Sequence, residues 1–215
     1  MVTTYTLIMD FQVDAAEARV LGALMEKEVA TPEYYPLSLN ALVNACNQKS
    51  NREPVVSYDD ETVEAALEGL REKGLAMRIT GRDSRVPKHE QRFTEKYNLG
   101  RREAAIICVL LLRGPQTVGE LRGRTDRLYT FDDLEGVEHT LQHLSETGFV
   151  KLLPRQAGFK EQRWAHLFSG DVDVTSEAAA APERGGPSTA DRLAAVEREL
   201  AELRAQFEEF RRKFE

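Results

Sequence analysis

The sequence predicts a mainly α-helical protein with small β-hairpins, an α+β fold made of two winged-helix domains and a C-terminal coiled-coil helix. Two observations predict this fold class. The first is an internal repeat within residues 14–168, and the second is a heptad pattern of apolar residues within residues 189–215. Residues 169–188 lie between them. They are rich in Ala, Gly, Pro and Ser and poor in large apolar residues, so they are predicted to be a flexible linker.

The repeat aligns residues 59–75 with residues 133–149 at a constant offset of 74. Each copy has apolar residues at the i, i+4, i+7 positions of a helix, then a glycine suited to the left-handed position after a helix, then an apolar strand. The matching pairs are Val63 with Val137, Leu67 with Leu141, Leu70 with Leu144, Gly74 with Gly148, and Leu75 with Phe149.

Each copy also contains two earlier helices and a later hairpin. Asp14 and Glu17 form a capping-box pattern that begins a helix over residues 15–28, and residues 103–112 are its counterpart. Short second helices begin after Ser38 and Thr117. The predicted strands cover residues 75–80 and 91–99 in the first copy, and 149–153 and 162–168 in the second. Three helices followed by a β-hairpin is the winged-helix plan, and the alternative is a generic α+β domain with a chance helix match.

These patterns divide the chain into five segments. They are an N-terminal extension (1–13), winged-helix domain 1 (14–100), winged-helix domain 2 (101–168), the linker (169–188) and the coiled-coil helix (189–215).

The coiled-coil segment repeats apolar residues at alternating spacings of three and four. Its flanking positions pair opposite charges and no like charges, which favours a parallel homodimer through this helix. The alternative is a helix that folds back on its own domains, since the segment is short and ends in phenylalanines. The predicted seam is Leu193, Val196, Leu200, Leu203, Phe207, Phe210 and Phe214.

Four stretches of the chain resemble the bacterial YceH-like family. They are residues 18–28 (ARVLGALMEKE), residues 31–55 (TPEYYPLSLNALVNACNQKSNREPV), residues 110–117 (LLLRGPQT), and Leu152 with Pro154 and Arg155. The resemblance covers about residues 15–168. It implies two winged-helix domains in a bacterial cytosolic protein whose activity is not established, and it supplies no catalytic residues. Residues 1–13 depart from the family pattern and are candidates for an extra strand.

The composition is that of an ordinary globular protein, with 41% hydrophobic residues, 30% charged residues and a net charge of −7. No apolar run approaches the roughly 20 residues that a membrane helix needs, and no basic region precedes an apolar core at the N-terminus. We therefore expect a cytoplasmic protein with no membrane segment. Cys46 and Cys108 lie among apolar residues, which is typical of buried thiols.

The sequence contains no recognisable catalytic or cofactor motif. Gly114 and Gly119 are not followed by the Lys-Ser/Thr pair of a phosphate loop. His139 and His143 have the i, i+4 spacing of a metal pair, but no Glu follows the first His and their neighbours are polar, which favours a solvated face. We therefore predict a non-enzymatic protein without a cofactor or a metal site.

The third helix of each copy is acidic, which opposes the usual insertion of a winged helix into DNA. Residues 59–73 carry six carboxylates against two bases. The second copy carries Asp132, Asp133, Glu135, Glu138 and Glu146. These two surfaces are candidates for binding a protein partner.

Two groups of basic residues in the first copy are candidates for contacting DNA, one in its wing and one in the segment 47–54, an insertion relative to the second copy. Each group has a second interpretation, since the wing can be a solvated hairpin and the insertion a structured connector. A further basic group, Arg122, Arg124 and Arg127, lies in the second copy. The candidates for nucleic-acid contacts are Lys49, Asn51, Arg52, Arg78, Arg82, Arg85, Lys88 and Arg92.

The function predicted from these features is that of a non-enzymatic, DNA-associated regulator that contacts double-stranded DNA through the basic wing. The alternative is a winged-helix module for protein–protein interaction or scaffolding that does not bind DNA.

Overall fold

A computed structural model describes residues 11–80, 86–155 and 160–170. The predicted coiled-coil helix with its seam, the linker after residue 170, and residues 1–10 of the N-terminal extension lie outside the described residues. Arg82 and Arg85 also lie outside them.

Within the described residues, the first half contains four α-helices, a short 3-10 helix and a three-stranded antiparallel sheet in the order β1-β3-β2. The helices are α1 (Ala15–Ala30), α2 (Leu39–Cys46), α3 (Asp60–Glu72) and α4 (Phe93–Lys96), and the 3-10 helix is Pro32–Tyr34. The strands are β1 (Leu37–Ser38), β2 (Ala76–Ile79) and β3 (Lys88–Gln91).

The second half repeats the order of three helices and a hairpin, and its described residues show no counterpart of the 3-10 helix or of α4. Its helices are α5 (Arg101–Arg113), α6 (Val118–Thr125) and α7 (Leu134–Glu146), and its hairpin is β4 (Val150–Leu152) with β5 (Trp164–His166). An isolated bridge between Gln116 and Trp164 occupies the place that β1 has in the first half. The predicted mainly helical α+β class is thus confirmed, with small antiparallel sheets.

The local signals at the helix ends are confirmed. Asp14 and Thr117 each form a complete capping box, at the starts of α1 and α6. After α3 and α7, Gly74 and Gly148 have φ values of 67° and 82°, in the region that favours glycine. These residues therefore set where the predicted helices begin and end.

The strand predicted over residues 91–99 is wrong. β3 ends at Gln91, and the chain then forms the short helix α4. The Gln91 side chain accepts a hydrogen bond from the Thr94 backbone N–H at 3.0 Å, and Phe93 turns into the core with no exposed surface. The extra strand suggested for the N-terminus is also absent from the described part of the extension, where the Val13 N–H bonds to the Phe168 carbonyl at 2.8 Å.

The two halves share one continuous hydrophobic core, in which α1 packs against α5. Eight consecutive residues of α5, Ala105 to Leu112, are buried. A helix that is apolar on all sides must be covered on all sides, and α1 supplies part of that cover. None of the helices in the described ranges is long and apolar enough to cross a membrane.

Gly22 allows the close approach of α1 and α5. A methyl group at this position would lie 2.9 Å from Cδ2 of Leu112 and 3.1 Å from Cβ of Leu111. The Cys108 thiol also lies 3.4 Å from the Gly22 carbonyl oxygen. The backbone of α1 therefore lies directly on the side chains of α5.

We expect Gly22→Val to lower the free energy of unfolding by about 1–3 kcal/mol, because the added methyl groups overfill this contact. Gly123→Val is the matched control, since a side chain on that α6 glycine would meet nothing within 4 Å. Urea unfolding followed by circular dichroism measures both variants. Equal effects would show that the helix contact is not tight.

Candidate functional site

The first hairpin carries two of the candidate nucleic-acid residues. Arg78 on β2 is exposed and pairs with His89, and Lys88 on β3 is half-buried and pairs with Ile79. Because paired residues share a face and successive residues alternate, Arg78 and Lys88 lie on opposite faces of the hairpin. The described hairpin therefore does not place these two cations side by side.

Arg92, at the end of the hairpin, is engaged by carboxylates. Its Nε lies 3.1 Å from Glu90, and its guanidinium also pairs with Glu95. The Arg92 side chain is 39% exposed, so its charge is locally compensated but still reaches solvent.

The segment 47–54 is bonded to the rest of the protein at several points. The Asn47 side chain exchanges two hydrogen bonds with the Tyr58 backbone, at 2.7 and 2.8 Å. The Glu53 N–H bonds to the Leu112 carbonyl at 2.9 Å, which ties the segment to α5. Lys49 is exposed, whereas Asn51 is half-buried and accepts a hydrogen bond from Arg113 at 2.6 Å. These contacts match the connector interpretation of the insertion.

Arg52 is not on the surface, and this corrects its place among the nucleic-acid candidates. Its side chain has no exposed area, and its two terminal nitrogens lie 2.7 and 3.2 Å from the Glu26 carboxylate of α1. It also donates to the Ala45 carbonyl at 2.9 and 3.1 Å. A guanidinium that is buried and bonded in this way cannot reach a phosphate.

Arg19 and Glu26 complete this buried polar cluster. Arg19 is buried and donates to the carbonyls of Cys46 (3.2 Å) and Pro54 (2.7 Å). Sequence reasoning missed both residues, although a signal exists: they interrupt the apolar face of α1 seven residues apart, which is two helical turns. The cluster fastens the connector to α1 and to the end of α2.

The charges of the cluster shift its pKa values. Burial lowers the pKa of Arg19, and the nearby Arg52 charge lowers it further. Burial alone would raise the pKa of Glu26, but its hydrogen bonds to Arg52 and the Arg52 charge outweigh burial, so the pKa lies below its usual value. The carboxylate is therefore held in its charged form by its partner.

The third helices expose their acidic residues, as the sequence predicts. Val63, Leu67 and Leu70 of α3 are buried, while the carboxylates of the helix face solvent. The same division holds in α7, where His139 and His143 are also exposed. The exposed acidic residues are Asp60, Glu61, Glu64, Glu68 and Glu72 on α3, and Glu135, Glu138 and Glu146 on α7.

A groove of about 270 Å³ lies between α3 and the first hairpin. Leu39, Leu67 and Val86 give it an apolar lining, and Glu64 and Glu68 line it from α3. Its remaining lining residues are Arg71, Arg78, Pro87 and His89.

The basic and acidic groups of the groove influence each other. Arg71 pairs with Glu68 at 2.5 Å. Burial lowers the pKa of His89, and the nearby Arg78 and Arg71 charges add to that effect. His89 is therefore held mainly neutral at pH 7, and the groove combines an apolar lining with partly compensated charge.

The described residues offer no site for a metal ion, since they contain no cluster of three or more suitable His, Cys, Asp or Glu side chains. Cys46 and Cys108 are free thiols and both are buried. Burial raises the pKa of Cys46 to about 12 and also raises the pKa of Cys108, so both remain protonated at neutral pH. They serve as small core side chains.

Comparison with known proteins places residues 13–159 in the family described as "Protein of unknown function, DUF480". A UPF0502 protein of Solibacter usitatus is 72% identical over 207 residues, covering 96% of this chain and 100% of the relative. UPF0502 proteins of Opitutus terrae and Aeromonas hydrophila are 54% and 50% identical, covering 87% and 93% of this chain and 81% and 95% of the relatives. The prediction of a bacterial family without an established activity is confirmed. The chain belongs to the DUF480 family, together with these UPF0502 proteins of bacteria.

Proposed function

We propose that this protein is non-enzymatic and binds a partner protein through the third helices of two winged-helix halves. Each half has the order helix, short strand or bridge, helix, helix, hairpin. In DNA-binding proteins of this plan the corresponding helix enters the major groove. Here that helix presents carboxylates in both halves, and DNA phosphates would repel them.

The observation that carries the proposal is the groove between α3 and the first hairpin. Apolar side chains line it, and Glu64 and Glu68 stand on its α3 wall. Glu68 is shared with Arg71, which leaves Glu64 and the other exposed carboxylates of α3 to meet basic residues of a segment whose apolar side chains fill the groove. The partner is therefore a protein with a basic, amphipathic segment.

A DNA-associated role through the first wing is the second candidate. It is favoured by the exposed Arg78 and by Lys88, which flank a segment containing Arg82 and Arg85. Contacts from these cations would reach phosphates and would carry little sequence information.

The homodimer through residues 189–215 and the cytoplasmic location stay predictions.

Reversing the α3 charges tests the main proposal. Glu64→Lys with Glu68→Lys should lower the capture of a partner from bacterial lysate at least about tenfold, because like charges then face the basic segment. The matched control is Glu33→Lys with Glu161→Lys, which changes the net charge equally at two exposed positions away from the groove. The control should capture the partner as the wild type does.

Binding of a random DNA duplex at low salt, measured with the wild type and the same variants, distinguishes the two candidate functions. Under the main proposal the wild type does not bind the duplex, and the α3 variant gains weak affinity as the repulsion is removed. Wild-type binding that weakens steeply with salt would instead support DNA binding through the wing. In that case Arg78→Ala and Lys88→Ala should each reduce the slope of log affinity against log salt concentration by about one unit.

A further inference from the structure

Three arginines of the second half converge on a shallow cleft beside the connector. Arg113 comes from the end of α5, Arg124 from α6, and Arg127 from the turn that follows α6, and Asn51 of the connector lines the same cleft. The cleft has a volume of about 20 Å³, which is room for one water-sized group. Any larger ligand would insert one atom and remain mostly at the mouth.

Glu26, which lines this cleft, and Glu120, which pairs with Arg124 from outside it, are both already shared between cations. Glu26 is bonded to Arg52, and the Lys27 ammonium is 3.5 Å from it. Glu120 pairs with both Arg124 (3.4 Å) and Arg163 (2.9 Å). Each of these two carboxylates therefore already has two cationic partners other than Arg113 and Arg127.

Arg113 and Arg127 remain without an ion-pair partner among the residues that the structure describes. Arg113 donates to the neutral amide oxygen of Asn51 at 2.6 Å. The Arg127 side chain makes no hydrogen bond or ion pair within the described ranges, although its charge helps to lower the pKa of Glu26. Asp126 beside it is exposed and does not line the cleft. The cleft thus holds more positive than negative charge.

The pKa of Arg113 is consistent with this excess. Burial lowers the pKa, the nearby Arg124 charge lowers it further, and Arg52 acts in the same direction. Glu53 and Glu26 oppose these effects without cancelling them. This direction is the one expected for a partly buried guanidinium that has other guanidinium groups nearby.

We propose that this cleft binds a phosphoryl group, with one oxygen inserted among Arg113, Arg124 and Arg127 and the remaining oxygens at the mouth. Planar guanidinium groups donate paired hydrogen bonds that match phosphate oxygens, and several of them together favour a multiply charged anion. The Asn51 oxygen is occupied by Arg113, which leaves its amide N–H groups as neutral donors. The cleft lies on α5, α6 and the connector, so this inference is independent of the partner-protein proposal.

Titration of the full chain with inorganic phosphate at constant ionic strength, with chloride as the reference anion, tests the inference. Two-dimensional ¹⁵N–¹H NMR should show saturable shifts at the Asn51 amide and the Arg113 side chain that chloride does not produce. Arg124→Gln with Arg127→Gln should weaken the phosphate affinity at least about tenfold, because two charge-assisted donors are lost. Neither substitution removes a contact of Arg52, and Arg163 still pairs with Glu120.

Arg101→Gln with Lys160→Gln is the control, since it removes the same charge from two exposed positions that do not line the cleft. It should retain the wild-type affinity. An equal loss in the control, an unchanged affinity in the cleft variant, or matching shifts from chloride would overturn the site. Circular dichroism verifies that both variants are folded.

Two further probes distinguish the source of the phosphoryl group. Phosphoserine carries a monoester, and a thymidine dinucleotide carries the diester of a nucleic-acid backbone. Tighter binding of phosphoserine than of the diester assigns the site to phosphorylated molecules. Diester binding at least as tight as that of phosphoserine, and lost in the cleft variant, assigns it to nucleic-acid phosphates. Failure of the wild-type protein to bind inorganic phosphate and both probes would contradict the proposal.

Discussion

Replacing Arg52 with alanine should lower the free energy of unfolding by about 3–5 kcal/mol, since the substitution leaves the Glu26 carboxylate buried without its partner. The Arg52 side chain has no exposed surface and that of Glu26 is 7% exposed, so water can replace little of the lost interaction. The substitution also removes donors from the Ala45 carbonyl at the end of α2. Urea unfolding monitored by circular dichroism measures the loss.

The surface pair Arg71 and Glu68 provides the control for this experiment. Their side chains are 39% and 58% exposed, so Arg71→Ala should cost less than about 1 kcal/mol. If Arg52→Ala costs no more than Arg71→Ala, the buried pair does not hold the connector in place.

The same pair should make stability depend on pH on the acid side. The pKa of Glu26 in the folded protein lies below its reference value of 4.5, so the unfolded chain binds the proton first as the pH falls. The contribution of the carboxylate is therefore fully present above about pH 4.5 and is lost as the pH falls through the lowered pKa of the folded state. The stability difference between wild type and Glu26→Gln should shrink over that acid range.

The helix ends could be predicted from the sequence because the interactions that set them join residues that are close together in the chain. The capping boxes at Asp14 and Thr117 and the left-handed glycines Gly74 and Gly148 involve residues within one turn of each other. The assignment of residues 91–99 failed because Phe93 packs into the core from the helix α4, and this depends on distant residues.

The role of Arg52 was not predictable from its own segment. An Arg in a polar, amide-rich stretch is ordinarily solvated, and its burial depends on Glu26, which lies 26 residues earlier on another element. The sequence carried the complementary signal in α1, where Arg19 and Glu26 break an otherwise apolar face. Charged residues on a core-facing stripe indicate a buried polar cluster when their partners lie elsewhere in the chain.

The sequence also contains an indication of the shared core that the prediction of two domains did not use. In a helix that packs on one side only, apolar residues form a stripe, whereas residues 105–112 are apolar without interruption. The continuous run predicts a helix covered from more than one direction, and α1 of the first half provides one of those covers. The two halves are therefore coupled through their first helices.

Contacts between aromatic rings form a second connection between the two halves, and Phe168→Ala should remove it. Phe168 of the second half is fully buried and its ring centroid is 5.1 Å from that of Phe93 in the first half. It also contacts the rings of Phe149 at 5.8 Å and Phe11 at 6.2 Å. Truncation of a buried Phe leaves a cavity and should cost about 3–5 kcal/mol.

Because Phe168 joins the halves, both should lose this stability together. Trp164, the chain's one tryptophan, reports on the second half by fluorescence, and hydrogen exchange of an α3 peptide reports on the first. We expect coincident unfolding midpoints in the wild type and an equal shift of both midpoints in Phe168→Ala. Tyr34→Ala, at a position 69% exposed, should shift neither midpoint appreciably. A Trp164 transition that moves while the α3 peptide keeps its wild-type protection would show instead that the halves unfold independently.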